Sequence, residues 1–402
     1  MNLIFYFFIG ILIIASCMSF YLYSQVKKYL QSFADFNVSQ KEILYPKVTL
    51  LIPIYREENL IKKSIQYFSA FPSDISIIYI TTSREKDNKT LSIAQEFLKE
   101  HTYQSIQVIN SPNTFGNMAT QLNYGLKYVP LENIVGIYNV DSEPRLETIK
   151  YVQKNIKENQ IMQQVSIFSD SLNGVMKRAQ LWQNRWSIIY EFGNLILKSK
   201  DRIGFMYTIG HGLFTYKNVL ERNGGWDEDE INEDNVMGYK LSIEGIKFLP
   251  IPYFEKASFA HSKLVYIKQQ SVWFNGPLYS IKYFFKYKKS VRNFLFSLLN
   301  LRAAITWLIG PIMFLVLFLW NLKQWQWLNI GVLLLTMSIY ISGIDYLAVR
   351  LLSSQIKGKC LQPADIFFDY LFYLMHCVGP VLTIVKFVCG RNNIQNKYKT
   401  EK

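Results

Sequence analysis

The sequence predicts an α/β domain set between membrane-spanning helices at the two ends of the chain. Apolar runs are concentrated at both ends of the 402 residues, whereas charged residues are spread through the middle. Within residues 47–144, short apolar runs alternate with helical ones, which is typical of a parallel sheet flanked by helices. Polar side chains follow several of the predicted strands, at the sheet edge where such folds bind ligands.

Four apolar segments are candidates for crossing a membrane. Residues 3–23 carry no charge, and about 20 apolar residues suffice to cross a ~30 Å hydrocarbon layer as a helix. Residues 303–320 and 328–349 form two further runs. Residues 366–388 form a weaker one, because Asp369 and His376 lie inside it and Lys386 lies near its end.

The first segment has a second interpretation, as a cleaved signal peptide. No basic residue precedes it, and it exceeds the ~7–15-residue apolar core of a signal. Lys27 and Lys28 follow it directly, so the positive-inside tendency puts the middle domain in the cytoplasm. We therefore expect a multi-pass protein of the inner or plasma membrane. Four spans would put the basic tail outside, against the positive-inside tendency. The last segment is therefore either a span or a re-entrant hairpin.

The net charge of +14 raises the question of a polyanionic partner. A basic stretch at residues 282–292 adjoins the second apolar block and is interleaved with aromatic residues. This pattern favours a helix in the headgroup layer of a lipid bilayer over a nucleic-acid partner, although a solvated basic helix remains open. The four cysteines lie in or beside apolar segments without a CxxC spacing, which argues against a disulfide framework or a zinc site.

The middle domain divides into regular elements along the chain. We expect strands at residues 48–53, 75–81, 106–110 and 134–138, and helices at 58–71, 88–101, 117–129, 176–198 and 235–244. No GxGxxG or GxxxxGK[ST] pattern occurs, so neither a dinucleotide-binding nor a P-loop fingerprint is supported.

Two acidic clusters and one histidine are the candidates for chemistry. Asp141 and Glu143 follow the fourth strand, where carboxylates can hold Mg²⁺ or Mn²⁺ beside phosphate oxygens or simply cap a helix. Glu233 and Asp234 open a helix, which suits either a general base or a favourable helix terminus. His211 stands between two glycines, as a turn residue or as a donor to phosphate or acceptor.

The order and spacing of these residues resemble the inverting family 2 glycosyltransferases with the GT-A fold. The resemblance covers residues 46–276 and is to the membrane-bound branch, which includes cellulose, hyaluronan and poly-N-acetylglucosamine synthases and ceramide glucosyltransferase. Its motifs are Pro53-x-Tyr55-x-Glu57, Asn139-x-Asp141, Gly210-His211-Gly212 with Gly224-Gly225-Trp226-Asp227, Glu233-Asp234 and Gln269-Gln270-x-x-Trp273.

The resemblance implies a role for each matched residue. Asp234 would be the general base with Glu233 as its partner, and Asp141 with Glu143 would hold Mg²⁺ or Mn²⁺. Pro53, Tyr55 and Glu57 would bind the UDP-sugar donor, and Gln269, Gln270 and Trp273 would line the entrance of a saccharide or lipid-linked acceptor. Apart from the resemblance, Thr82 and Asn139 are assigned to the donor because they lie at strand ends, Asn117 because it lies in the loop before the third helix, and His211 is assigned to the acceptor side because of its glycine neighbours.

Three positions depart from the family pattern. Asn139, Asn117 and Val272 stand where Asp, Lys and Arg are usual, and loss of the Arg removes a strong donor to the diphosphate. We therefore expect transfer in capsule, exopolysaccharide or cell-surface glycan synthesis, but no long-chain processive polymerase. The alternatives are a glycolipid synthase of the ceramide glucosyltransferase type and a non-catalytic membrane scaffold.

The expected organisation has five parts. An N-terminal transmembrane helix (1–25) precedes a Rossmann-like, nucleotide-binding GT-A domain (26–266). Interfacial amphipathic helices (267–300), C-terminal transmembrane helices (301–390) and a basic tail (391–402) follow.

Overall fold

The computed structural model describes residues 1–33, 45–101, 103–200, 207–287, 289–352 and 365–389. The strands are β1 (Val48–Pro53), β2 (Ile75–Thr82), β3 (Ile106–Ser111), β4 (Ile134–Ile137), β5 (Gln160–Gln163), β6 (Ser166–Phe168), β7 (Leu213–Tyr216), β8 (Lys247–Pro250) and β9 (Glu255–Ala257). The helices are α1 (Asn2–Phe33), α2 (Ile61–Ser69), α3 (Lys89–Glu100), α4 (Met118–Leu126), α5 (Leu146–Asn155), α6 (Gly174–Arg185), α7 (Phe192–Ser199), α8 (Lys217–Arg222), α9 (Glu233–Ile243), α10 (Lys263–Leu278), α11 (Ser280–Lys286), α12 (Val291–Lys323), α13 (Trp327–Ser338), α14 (Ile344–Leu352), α15 (Asp365–His376) and α16 (Val378–Val388). π-helical turns join α6 to α7 (Trp186–Glu191) and α13 to α14 (Ile339–Gly343).

Seven strands form one mixed sheet in the order β3-β2-β1-β4-β7-β5-β8. The four strands predicted from the sequence are parallel neighbours, with Leu51 of β1 paired to Ile78 of β2 and Ile137 of β4. β7 runs antiparallel to both β4 and β5. β6 and β9 form a separate two-stranded sheet. The predicted α/β class is confirmed, and β1 has the predicted bounds.

Helices cover both faces of the main sheet. Leu51 belongs to the core on one face with Ile78, whereas Leu50 and Ile52 belong to the core on the other. Successive side chains of a strand point to opposite faces, so a strand covered on both sides must be apolar at every position. This two-sided burial explains why β1 reads as a continuous apolar run.

Four helical segments are long and apolar enough to cross a membrane, as the sequence predicts. They are Asn2–Phe33, Val291–Lys323, Trp327–Leu352 and Phe367–Val388. Only 22–39% of their most apolar windows is buried within the protein, so most of this surface faces outward. A surface of this composition fits contact with lipid. The helical hydrogen bonding of the last segment is interrupted at Cys377, between α15 and α16.

The first helix is longer than its predicted membrane part. The predicted domain boundary at residue 25 lies inside α1, whose second half packs on the α/β domain. Leu22 lies against Gly193 of α7, and the Tyr29 hydroxyl donates to the Pro250 carbonyl over 3.2 Å. α1 is therefore one continuous helix whose first part is apolar enough to cross a membrane and whose second part packs on the domain.

The predicted boundary at residue 300 also falls inside a helix, α12. The early part of α12 packs on the domain, where the Ser297 hydroxyl lies 3.2 Å from the Tyr239 hydroxyl and Lys198 lies over the Phe296 ring. Residues 301–323 then continue as the apolar part that is long enough to span. The basic tail, 391–402, lies outside the described residues.

Candidate active site

The carboxyl ends of β1 and β2 are tied together by one buried amide. Gln121 of α4 donates to the Ile54 carbonyl over 2.8 Å and to the Ile80 carbonyl over 2.7 Å. Pro53 ends β1, and Thr82 ends β2 with its hydroxyl donating to the Asn113 carbonyl over 3.1 Å. The predicted donor residues on these strands therefore lie at one fixed edge of the sheet.

Tyr55 lies between two guanidinium groups at this edge. The Arg56 and Arg84 guanidinium carbons lie 5.2 and 4.8 Å from the centre of its ring. Arg56 has a φ of 55°, an unusual value for a residue other than glycine and one that is common at functional sites. A half-open cavity of about 380 Å³ adjoins them and is lined by Arg56, Glu58, Arg84, Glu85, Lys86 and Asp87.

Glu85 holds the turn that shapes this cavity. Its buried carboxylate accepts hydrogen bonds from the Arg56 amide (3.0 Å), the Thr90 amide (2.8 Å) and the Thr90 hydroxyl (2.8 Å). The Glu57 amide donates to the same Thr90 hydroxyl over 3.2 Å. Sequence reasoning missed Arg56, Arg84 and Glu85, although charged residues directly after a strand were a signal for them.

Asn117 caps α4 and ties it to the acidic loop, residues 226–230. Its side-chain oxygen accepts from the Thr120 amide over 3.3 Å. Its side-chain nitrogen donates to the carbonyls of Glu228 (3.3 Å) and Glu230 (3.0 Å). The structure thus gives Asn117 a positioning role at the donor-side loop, where a direct contact with nucleotide remains a prediction.

The two carboxylates predicted to hold a metal have different surroundings. Asp141 and Asn139 lie half-buried just beyond β4. The Glu143 carboxylate instead forms an ion pair with Lys63 of α2 over 2.7 Å. No cluster of three or more His, Cys, Asp or Glu side chains that could hold a metal occurs among the described residues. The hard oxygens of Asp141 and Asn139 suit Mg²⁺ or Mn²⁺ that is bound mainly by a diphosphate and water.

Asp234 opens α9 and lies against the glycine loop, residues 210–212. A methyl group added at Gly210 would lie 3.2 Å from the Asp234 side-chain Oδ2. The Thr208 hydroxyl donates to the Asp234 carbonyl over 2.6 Å, which fixes the loop along the start of the helix. Glu233 is buried beside it. The absence of a side chain at Gly210 therefore lets the loop backbone approach the carboxylate closely.

His211 is held by a buried carboxylate from a distant strand. Its Nδ1 lies 2.9 Å from the Glu255 carboxylate of β9, and the Ser166 hydroxyl lies 3.3 Å from the same carboxylate. Gly212 follows with φ of 67° and no room for a side chain, since a methyl group there would lie 2.9 Å from Gln164. Nothing in the sequence indicated Glu255, which lies 44 residues beyond His211.

α10 runs beside α9 and carries the predicted acceptor residues. A methyl group at Gly276 would lie 3.0 Å from the side chain of Asn235, the residue after Asp234. Gln270 is buried against Gly379 of α16, and its side-chain nitrogen has no hydrogen-bond partner among the described residues. Gln269 is half-buried, whereas Trp273 is 36% exposed. Their orientations separate Gln270, in the helix interface, from Trp273, on the surface.

Two family models match this chain. The model described as glycosyl transferase family 2 matches residues 49–222, and the model described as glycosyl transferase family group 2 matches residues 158–341. Together they cover the main sheet, the glycine loop, Asp234 and the first membrane helices after the domain.

Individual relatives agree with these matches. A probable glycosyltransferase of Bacillus subtilis, YdaM, is 20% identical over 350 residues, which are 85% of this chain and 81% of the relative. A mannosyltransferase of Pyrobaculum calidifontis, solved with GDP-Man and Mn²⁺, is 14% identical with a TM-score of 0.56 over 96% of this chain and 100% of that chain. Residues 1–349 of Staphylococcus aureus TarS are 12% identical with a TM-score of 0.44, over 86% and 92% of the two chains. The similarity to the mannosyltransferase shows a shared fold.

Proposed function

We propose that this protein transfers a sugar, with inversion, from a UDP-sugar to an acceptor hydroxyl at a membrane. The matches of the glycosyl transferase family 2 model to residues 49–222 and of the family group 2 model to residues 158–341 support a glycosyl transfer reaction. The acceptor is a saccharide or a lipid-linked saccharide, and the product belongs to a capsule, an exopolysaccharide or another cell-surface glycan. The domain faces the cytoplasm, where nucleotide-sugars are made.

The position of Asp234 is the observation that carries this proposal. Its carboxylate lies at the N-terminus of α9 against the backbone of Gly210. In the proposed reaction, Asp234 removes the proton of the acceptor hydroxyl, and the acceptor oxygen attacks the anomeric carbon from the side opposite the nucleotide. One such displacement inverts the anomeric centre, so a single carboxylate base suffices.

The donor would bind at the carboxyl ends of β1, β2 and β4. Tyr55 and Glu57 adjoin a cavity lined by three cationic and three acidic side chains. Arg56, Arg84 and Lys86 would bind the diphosphate of a nucleotide, while the carboxylate of Glu85 is bonded to the Arg56 amide and to Thr90. The Pyrobaculum mannosyltransferase, whose structure contains GDP-Man and Mn²⁺, supports a donor of this chemical class. A divalent ion held by Asp141 and the diphosphate would supply charge neutralisation for the departing nucleotide.

The acceptor would approach from the membrane side of Asp234. α10 lies beside the start of α9 through Gly276 and Asn235, and it also packs on the last membrane segment through Gln270 and Gly379. A lipid-anchored acceptor at the bilayer surface would therefore reach the carboxylate along one continuous side of the protein.

A donor screen tests the proposal. The purified protein in nanodiscs, with Mn²⁺, is offered a panel of UDP-sugars and GDP-mannose, and nucleotide release is measured. We expect release from one donor above the level of Asp234→Asn. Lipid extraction and product analysis then separate a glycolipid synthase from a glycan-building enzyme. Absence of release with every donor would contradict the proposal and favour the non-catalytic scaffold.

A further inference from the structure

The long helix predicted at residues 176–198 is interrupted by a π-helical turn, Trp186–Glu191, between α6 and α7. π-helical turns are rare, and they occur frequently at functional sites. The i→i+5 spacing of the turn puts its first and last residues on one face. These residues are Trp186 and Glu191, and both lie half-buried with part of their surface open.

Both side chains meet the hydroxyl of Tyr207. The Trp186 indole N–H donates to this oxygen over 2.9 Å, and the hydroxyl in turn donates to the Glu191 carboxylate. We call these three residues the aromatic–carboxylate cluster. Burial raises the pKa of the Glu191 carboxyl, although the hydrogen bond from Tyr207 acts in the opposite direction. The cluster is therefore a connected polar network and not a set of independent core side chains.

The cluster adjoins the proposed general base. Tyr207 begins the segment that continues through Thr208 to Gly210, and this segment lies along the first turns of α9. A methyl group at Gly238 of α9 would lie 2.5 Å from the Tyr207 backbone, and one at Gly210 would lie 3.2 Å from the Asp234 carboxylate. The same backbone segment thus supports Tyr207 at one end and contacts Asp234 at the other.

The turn is also held firmly from behind. Arg185, the residue before it, is buried and donates to the Tyr340 carbonyl at the junction of α13 and α14. Its guanidinium also donates to the Tyr190 hydroxyl over 3.1 Å. Ligand-binding side chains need such support, because a site that shifts by 1 Å loses much of its affinity.

We propose that Trp186, Tyr207 and Glu191 form a saccharide subsite that holds the acceptor sugar beside Asp234. The Tyr190 ring packs on the indole with the ring centres 5.1 Å apart, and the part of the indole that stays exposed would meet the C–H face of a sugar ring. The carboxylate would accept hydrogen bonds from sugar hydroxyls. Glu191 is a positioning residue here, and the proton is removed by Asp234. This inference rests on the proposed transferase function and names the residues that select its acceptor.

The test separates acceptor binding from donor chemistry. Nucleotide release by the wild-type protein in nanodiscs is measured with the donor identified by the screen. The donor is supplied first alone and then with increasing concentrations of methyl glucoside, methyl mannoside or methyl N-acetylglucosaminide. We expect one of these glycosides to stimulate nucleotide release. Trp186→Ala and Glu191→Gln should raise its half-saturating concentration about tenfold or more, the scale of one lost substrate contact. Nucleotide release without glycoside is measured in parallel as the second readout.

Matched substitutions control for folding. Trp186→Phe keeps an aromatic face and should have a smaller effect than Trp186→Ala. Trp325→Phe and Glu244→Gln replace exposed residues outside the cluster and should leave both readouts unchanged. The subsite would be overturned if Trp186→Phe and Glu191→Gln lost nucleotide release both with and without glycoside. It would also be overturned if Trp186→Ala and Glu191→Gln left the half-saturating glycoside concentration unchanged.

The subsite and the transferase function fail in different ways. A wild type that hydrolyses donor but responds to none of the glycosides would overturn the saccharide subsite while the proposed transferase function stands. A wild type that releases nucleotide from no donor would instead overturn the proposed function.

Discussion

At the scale of single residues, the environment of Asp234 allows a direct test of the proposed base. Asp234→Asn keeps the size of the side chain and its place beside Gly210, so fold and donor affinity should be retained. Transfer should fall by ~10²–10⁴-fold, the usual contribution of a general base. Steady-state turnover and donor binding measure the two effects, and Asp229→Asn, at an exposed position of the acidic loop that precedes α9, is the control. Retention of more than about half of wild-type turnover would refute the assignment.

Asp141 leads to a prediction about metal dependence. Glu143 is paired with Lys63, so Asp141 supplies the principal carboxylate beyond β4. We expect excess chelator to abolish nucleotide release, Mn²⁺ to restore it in wild type, and Asp141→Ala to remain inactive at any Mn²⁺ concentration. Nucleotide release during Mn²⁺ titration is the measurement, with Asp74→Ala, at an exposed position, as the control. Full activity in chelator would indicate a metal-free transferase.

Individual site residues differed in how well the sequence could locate them. Asp234 and Asp141 could be proposed as site residues because one lies at a predicted helix start and the other a few residues beyond a predicted strand end. Glu255 was missed because its partner, His211, is 44 residues away and nothing local marks the pair. The π-helical turn that begins at Trp186 was missed as well, since a stretch of helix-forming residues does not distinguish i→i+5 from i→i+4 hydrogen bonding.

At the scale of elements, ion pairs fasten α11 to the acidic loop. Lys286 lies 2.6 Å from Asp227 and 3.1 Å from Glu230, and Lys282 lies 2.9 Å from Glu230. The sequence predicted that these lysines face anionic lipid. The structure gives them protein partners, because the acidic loop, remote in sequence, folds back beneath α11. α11 therefore connects the loop before Asp234 to the helix that leads into the membrane.

This contact predicts a pH-dependent stability. Burial raises the pKa of Asp227, but hydrogen bonds from Lys286 and Tyr287 outweigh burial, so the pKa lies below its ordinary value of 3.8. An ionised carboxylate whose pKa is lowered by folding stabilises the folded state at any pH above its unfolded-state pKa. This stabilisation is lost as the pH falls through the folded-state pKa. Asp227→Asn should therefore lower Tm by about 1–2 °C at pH 7, since the pair is partly exposed.

Thermal unfolding of wild type and Asp227→Asn from pH 7 down to pH 3 measures this effect. The difference between the two proteins should shrink as the pH falls, because the wild-type carboxylate becomes protonated. A difference that is constant across this range would show that the ion pair contributes nothing. Asp229→Asn, at a nearby exposed position, should match wild type throughout.

Regular elements were predicted best where both faces of a strand are buried. β1 to β4 were found because two-sided burial demands apolar residues at every position. β7, which reverses direction between β4 and β5, has only four residues, and its pairing is decided by contacts far along the chain. The start of α12 was assigned to an interfacial helix because its basic residues are typical of such a helix. The sequence does not show that the same helix continues without a break into the apolar part.

At the scale of the whole molecule, buried charges join the α/β domain to the apolar helices that are long enough to cross a membrane. Arg178 and Arg185 project from α6, and Asp345 and Asp369 project from α14 and α15. Arg178 pairs with both carboxylates, whereas Arg185 lies 3.8 Å from Asp345. Two positive charges thus balance two negative ones where water is excluded.

Charge balance predicts an unusual order of stabilities. Arg178→Met leaves one carboxylate uncompensated in the interior, and removing one partner of a buried pair costs about 3–5 kcal/mol. The double variant Arg178→Met/Asp369→Leu leaves one buried arginine and one buried aspartate, so the buried charges balance again. It should be more stable than either single variant. Thermal unfolding in detergent of the four proteins measures this. A double variant less stable than both singles would show that these residues contribute mainly through packing.

The orientation of the domain relative to the bilayer is predicted from α12. Its 33 residues extend about 50 Å, longer than the ~30 Å hydrocarbon layer, and its early residues pack on the domain. Ser290 should therefore lie on the cytoplasmic side together with the domain, and Gln324 should lie on the opposite side. Glu100, at an exposed position of the domain, marks the side on which the domain lies.

In a variant with its four native cysteines replaced, single cysteines at these three positions are labelled with an impermeant maleimide. Inside-out vesicles should label Ser290→Cys and Glu100→Cys, and right-side-out vesicles should label Gln324→Cys, whereas detergent-solubilised protein should label all three. Labelling of Ser290→Cys and Gln324→Cys from one side would show that α12 does not cross the membrane, and the approach of a lipid-linked acceptor along α10 would lose its support.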